Sequence, residues 1–179
     1  MNRADSAREA NGVSGAGEVD GVRSAGEVDG VRSVREADGV SRVDAAGPER
    51  DLDRLLSGME PALHPGRFVF TTVPGSTAPP GLSPVVTVVE DEGLTLVLEQ
   101  SEADAAHLPY DYTAGWITLR IHSALDAVGL TAAVARTLAD AGLSCNVVAG
   151  FHHDHLFVPH ERAREAVALL ERLAERSGQ

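Results

Sequence analysis

Apolar positions along this chain follow two periods, and the switches between them mark out short elements. Leu52, Leu55, Leu56 and Met59 have the i, i+3, i+4, i+7 spacing of one helical face and stop at Pro61 and Pro65, which predicts a short helix. Residues 67–73 (RFVFTTV) are β-branched and aromatic and predict a strand. The next segment, 74–84, holds four Pro and two Gly and predicts a loop. Residues 84–89 (PVVTVV), the turn 90–93 (EDEG) and residues 94–99 (LTLVLE) predict a hairpin, with Leu94, Leu96 and Leu98 on one face of its second strand. Ser101 is placed to cap a short helix through Ala106, with Glu102 and Asp104 favourable in its first turn.

Further along, residues 116–122 (WITLRIH) alternate strictly, predicting a strand buried on the Ile117, Leu119, Ile121 side and open on the other. From Leu125 to Ala141 the residues Val128, Leu130, Thr131, Val134, Leu138 and Ala141 trace a helical stripe, and Gly142 stands where a helix ends in left-handed backbone. Residues 144–151 and 155–158 predict two strands around a turn at His152, His153 and Asp154. Residues 161–176 predict a final helix with Ala163, Ala166, Val167, Leu170 and Leu173 inward. From Trp116 the order is therefore strand, helix, strand, strand, helix, the ferredoxin-like split βαβ arrangement without its last strand. The earlier half predicts helix, strand, strand, strand, helix. If the two halves pack together, the strand from Trp116 can close one and open the other.

The first third reads differently. AGEVDGVRS occurs at residues 16–24 and again at 25–33, followed by a decayed copy at 34–42. Two and a half such units cannot close a core, and all seven aromatic residues of the chain lie after position 67. Residues 1–50 are expected to be a disordered extension, because they lack the apolar surface to offset an ordering cost of roughly 1–2 kcal/mol per residue. Removing residues 1–48 is expected to leave folding intact.

Charge narrows the partners. Residues 1–50 carry seven Arg against ten Asp or Glu, and the rest carries eight Arg against seventeen, so the part expected to fold is the more acidic. That argues against nucleic acid and anionic membranes as main partners, since both are bound through clustered cations. No apolar run approaches a membrane span and the first residues lack an apolar signal region, so a cytoplasmic location is expected. A single cysteine, Cys145, excludes an internal disulfide and a multi-cysteine zinc site; inside an apolar strand it reads as a small hydrophobe. No glycine-rich phosphate loop is present, and no cofactor is expected.

Several segments, FVFTTV (68–73), EDEGLTLVLE (90–99), residues 116–159 and the closing helix, resemble the ACT-domain family. Within the longest block, AVGLTAAV, the LSCNV entry to the next strand and HDHLFVP carry the likeness. More narrowly it is similar to a bacterial group of small tandem-ACT proteins, themselves similar to the ACT repeats of the cytosolic arginine sensor of the mTOR pathway. Two positions depart from that group: Ala124 stands where a second Ser is usual, and Val89 where an Arg is frequent. The resemblance covers about residues 52–175. It implies an α+β fold of two ferredoxin-like (βαββαβ) units packed side by side, a degenerate one over 51–113 and a second over 114–179.

The resemblance also implies a non-enzymatic regulatory or sensor protein that binds a small amino acid or related metabolite, often as a homodimer. The ligand is expected at the loop after the first strand of the second unit. The residues there suit it: His122, Ser123 and Asp126 join strand to helix, and Val128 and Gly129 lead into the helix start, whose free N–H groups and dipole favour a carboxylate. Gly150 permits close backbone approach, Asn146 both donates and accepts, and Asp154 would meet a cationic group. The plainer alternative is that Ser123 or Asp126 caps the helix, Asn146 finishes a strand and Asp154 makes a turn.

Two rival functions stand beside this one. The cluster His152–His155 invites a metal-binding or metal-dependent hydrolase reading, with His153 and His155 on one side of a strand and His122 as third ligand. A ligand-free assembly module is the other. Glu90, Asp91 and Glu92 read as a solvated turn ahead of Gly93.

Overall fold

The structure is a computed structural model that describes residues 47–179. The nonapeptide repeats, and nearly all of the extension expected over 1–50, lie outside the described residues. Within them, α1 (Leu52–Ser57), β1 (Pro61–Leu63), β2 (Phe68–Val73), β3 (Val86–Glu90), β4 (Gly93–Glu99) and α2 (Gln100–Ala105) come first. They are followed by β5 (Thr113–Leu119), α3 (Leu130–Asp140), β6 (Asn146–Ala149), β7 (Asp154–Pro159) and, after a 3-10 turn at His160–Arg162, α4 (Ala163–Ser177).

All the strands join one sheet in the order β3-β4-β2-β5-β7-β6, with β1 also paired to β5. β1 and β2 lie along the same edge of β5: Leu63 faces Ile117, and Phe68 faces Ala114. Five steps along the first line match three along β5, so residues 64–67 bulge out and insert two extra residues. The consequence is reciprocal sharing. β5 opens the second βαββαβ unit and closes the first, while β1, from the start of the chain, supplies the strand that the second unit lacks after α4.

The helices cover one face. Ile117, Leu119, Leu156 and Val158 pack beneath Leu55 of α1, Val134 and Leu138 of α3 and Leu170 of α4, all essentially inaccessible. Burying each such side chain contributes about 1.5–3 kcal/mol. In the first half Val69, Val73, Leu94, Leu96 and Leu98 are covered by Ala103 of α2, by Ala78 and Leu82 of the proline-rich loop, and by Leu108 and Tyr110. That loop takes the place of a helix: Pro79 and Pro80 lack N–H donors and fix φ. No described helix is long and apolar enough to cross a membrane.

The strand expected at 116–122 starts three residues earlier and ends at Leu119, and it is buried on both faces. Its second face gains cover from side chains distant in sequence. His64 from the bulge stacks on Trp116 (centroids 3.6 Å apart, planes at 9°), and Phe68, Phe70, Tyr112 and Phe157 pack around it. Ser101 does not cap α2; its hydroxyl turns to Glu99, which stands at the N-cap position without a capping bond. Gly142 follows α3 with φ +66°, as its place after the stripe predicted.

Candidate functional site

The expected helix from Leu125 begins only at Leu130, and this shortening builds a site. Between β5 and α3 the chain makes an irregular loop pinned by Glu49, whose N–H donates to His122 O (2.9 Å) and whose carbonyl accepts from Ala124 N (2.9 Å). The N-cap of α3 is Gly129, with φ +109° and no side chain to satisfy the helix start. A Cβ there would lie 2.9 Å from Leu52 Cδ2, so glycine is required by both backbone and space. The first bond of the helical ladder runs from Ala133 N to Gly129 O (2.9 Å). The N–H groups of Leu130, Thr131 and Ala132 are left without ladder partners, and the positive end of the helix dipole adds to them.

Asp154 lies beneath this helix start. It is the first residue of β7, paired with Leu119 and Ala149, and so it shares the helix-side face with Leu156 and Val158. Only 8% of it is exposed. Ser123, also buried, donates from Oγ to Asp154 Oδ2 over a long 3.5 Å. Burial pushes the Asp154 carboxyl above the usual carboxylate range, against the lowering effect of the Ser123 bond. A cavity of about 60 Å³ lies among Ser123, Ala124, Leu130, Thr131, Ala149 and Asp154. It is two-ended, with amide donors and dipole on one side and a carboxylate on the other. Leu125, which also lines it, is 66% exposed and leaves an apolar side chain at its mouth.

Of the residues singled out in the sequence, Ser123, Gly129 and Asp154 meet here. Neither plain capping role holds, since Ser123 turns to Asp154 and Asp126 pairs with Arg50 in the open (3.2 Å). His122 lies beside the loop with its ring 5.4 Å from His152, and Val128 is exposed in the segment that leads into α3, outside the cavity lining. Asn146 is elsewhere: it pairs with Phe157 at the far end of β6, so its side chain projects from the opposite face. Gly150 serves the hairpin, because its N–H donates to His153 O (2.9 Å) and a Cβ would sit 2.7 Å from that oxygen. Asp154 belongs to the strand rather than the turn. A count back by twos from Val158 and Leu156 reaches it, and that signal was in the sequence. Ala149 carried no such signal, and Thr131, expected in the buried stripe, is exposed at the cavity.

The histidines separate. His153 lies outside β7 with Nδ1 3.1 Å from Ile121 O, whereas His155 faces the other side of the sheet, where Trp116 Nε1 donates to its Nδ1 (3.1 Å) and Thr118 Oγ1 lies 3.0 Å away. The i, i+2 geometry expected of them requires both to be in the strand. Among the described residues no group of three or more His, Cys, Asp or Glu is arranged to hold a metal ion. Burial pushes the Cys145 thiol up to about 11, in keeping with an inert, half-buried side chain. Glu90 accepts a hydrogen bond from Thr95, and Asp91 and Glu92 form the exposed turn.

Residues 47–115 match one ACT-domain family model and residues 112–172 match another. A protein of unknown function from Vibrio cholerae, described as a possible transport protein, is similar at 47% identity with a TM-score of 0.62; the match covers 69% of this chain and 95% of that one. A protein from Agrobacterium tumefaciens shares the fold at 21% identity (TM-score 0.52, 65% of this chain and 89% of that one). No curated protein matches. These findings concern fold and family and do not extend to the arginine sensor. With two consecutive matches spanning the described sheet and a relative aligned over nearly its whole length, the chain belongs to the ACT-domain family.

Proposed function

We propose that this protein is a non-enzymatic regulatory or sensor protein whose ligand is a small zwitterionic amino acid or close analogue. The observation that carries the reading is the uncapped start of α3 set over Asp154 in one cavity. The helix N–H groups suit an α-carboxylate and the buried Asp154 suits an α-ammonium, the two ends of one small molecule. An ammonium near Asp154 would favour its ionised form and offset the desolvation that now opposes it. The small volume accommodates the main-chain end of the ligand, and its side chain would project past Leu125. ACT membership supports a regulatory ligand-binding role of this kind.

The test is a thermal-shift screen of the twenty amino acids against the full chain. A ligand held at a hundred times its Kd stabilises the native state by about 2.7 kcal/mol, enough for a clear rise in Tm. A rise with at least one amino acid, absent in Asp154→Asn, is expected. No rise with any of them would remove the proposal.

We also infer that two copies associate through a sheet edge. Val88 and Val89 on edge strand β3 are exposed apolar residues with unpaired backbone beside them, which favours covering by another strand. Light scattering that shows only monomer would exclude this.

A further inference from the structure

The loop that walls the Asp154 cavity is held from outside by one short segment. Glu49 makes a parallel bridge with Ser123: its N–H donates to His122 O (2.9 Å) and its carbonyl accepts from Ala124 N (2.9 Å). The next residue, Arg50, pairs with Asp126 (3.2 Å). Leu52 then closes on Gly129, where a Cβ would stand 2.9 Å from Leu52 Cδ2. Residues 49–52 therefore run beside residues 122–129 in the same direction and meet them at both ends and in the middle. Among the described residues, the other backbone bonds made by residues 122–128 are local, from Ser123 N to Ile121 O and from Ala127 N to Ala124 O. The two bonds to Glu49 are thus the loop's backbone anchors to another part of the chain. They flank Ser123, whose hydroxyl reaches Asp154.

The two ends of this segment are held unequally. On the helix side the Glu49 carboxylate accepts from Arg50 N (2.8 Å) and Asp51 N (3.0 Å), and Asp51 caps α1 by accepting from Arg54 N (3.0 Å). Leu55 and Leu56 of α1 are buried in the core. On the other side Gly47 and Pro48 are exposed, and a Cβ on Gly47 would meet nothing within 4 Å. Two hydrogen bonds and an exposed ion pair are a weak hold, and contacts of this kind open without the sheet opening.

We propose that residues 49–52 are a strap that orders the ligand loop. With the strap closed, Ser123 and the approach to α3 are set around the cavity. Drawn away from the Gly47 side, Glu49 and Arg50 leave while α1 stays seated, the loop loosens and affinity for the small molecule falls. The coupling is reciprocal, so a molecule in the cavity holds the strap shut. This regulation rests on the amino-acid reading of the cavity.

Amide hydrogen exchange, read residue by residue by NMR on the full chain, tests the strap. Glu49→Pro deletes the donor to His122 and is expected to speed exchange at Ala124 about tenfold, the upper range for one net hydrogen bond. Ala127, whose bond lies within the loop, is expected to follow, while Val97 and Leu98 in β4 keep their rates. Arg50→Asp sets like charges together at Asp126 on the surface and is expected to speed both loop amides about twofold; it decides the matter if Glu49→Pro also loses protection in β4. Unchanged exchange at Ala127 in every variant that keeps β4 protected overturns the strap. In the parent, an equimolar mixture of the twenty amino acids is expected to slow exchange at Thr131 and Ala132 and at Ala124 together. Slowing at Thr131 and Ala132 without Ala124 overturns the strap and leaves the ligand reading standing. No slowing at any amide removes the ligand reading, and this regulation with it.

Discussion

The two halves of the sheet share one wiring and diverge immediately after the opening strand. In the second half β5 leads through a short loop into α3, whose uncapped start stands over Asp154. In the first half β2 leads into the loop over 74–85, where four prolines prevent a helix and with it any ring of free amide donors. The same topology therefore sets free amide donors beside a buried carboxylate only where a helix forms. The charge obeys the same division: residues 120–179 balance seven acids with six Arg, whereas residues 68–119 set seven acids against none. One half sets a buried carboxylate under a helix start, and the other is acidic with no cation of its own to balance it.

The strongest way to break the comparison is to ask whether the halves are separable at all. Leu170→Ala in one core and Leu96→Ala in the other should each lower stability by about 2–5 kcal/mol, since both side chains are inaccessible. Because β5 belongs to both halves, both variants are expected to unfold in one transition in urea, with Trp116 fluorescence and circular dichroism coinciding. Two separated transitions would make the halves independent domains. Next in size is Gly129→Ala, which forces a side chain into φ +109° and against Leu52; the expected cost is about 1–3 kcal/mol, together with loss of the amino-acid-induced Tm shift.

Asp154→Asn separates function from stability. The folded-state pKa of Asp154 is raised above the ordinary value of 3.8, so the native state holds its proton longer than the unfolded chain does. Its desolvation therefore costs stability increasingly as pH rises through that window, and costs nothing below it. The ligand-free Asn variant should be the more stable protein at neutral pH and equal to the parent under acid, while failing to respond to amino acids. A variant less stable at neutral pH would mean that Asp154 is a structural residue.

A smaller effect is expected on the opposite face. Burial lowers the pKa of both His64 and His155, so the unfolded chain takes up protons first as pH falls below 6.5. Stability present above that value should decline as pH drops through the gap, and His155→Gln should reduce the decline. Trp116 emission reports it, because Trp116 Nε1 donates to His155 Nδ1. The smallest effect is expected of Arg50→Ala: its ion pair with Asp126 is exposed on both sides, and Tm should not change measurably.

Much of this was legible in residue order. The 3.6-residue stripes of α3 and α4, the two-residue alternation of β4 and β5 and the glycine at the end of α3 read correctly, because each reports a local backbone period or a required φ. What failed to read locally was phase and cover. The stripe at Leu125 and Val128 continues that of α3 in sequence, yet those residues stay exposed in the loop, because Glu49 captures the loop backbone first. Asn146 looked adjacent to the site and lies on the other face, since one step of strand phase moves a side chain through the sheet. His153 and His155 parted because β7 begins only at Asp154, which leaves His153 in the turn.

By itself the sequence determined the element types, the two-unit plan and the acidic balance, all of which depend on spacing and composition over a few residues. Only the tertiary structure decided that β1, which precedes both units, completes the second one and that Asp154 sits under α3. Those outcomes rest on which strands pair and in what register, and pairing is set by contacts between residues far apart in the chain, such as Pro61 with Leu119, that no local period encodes.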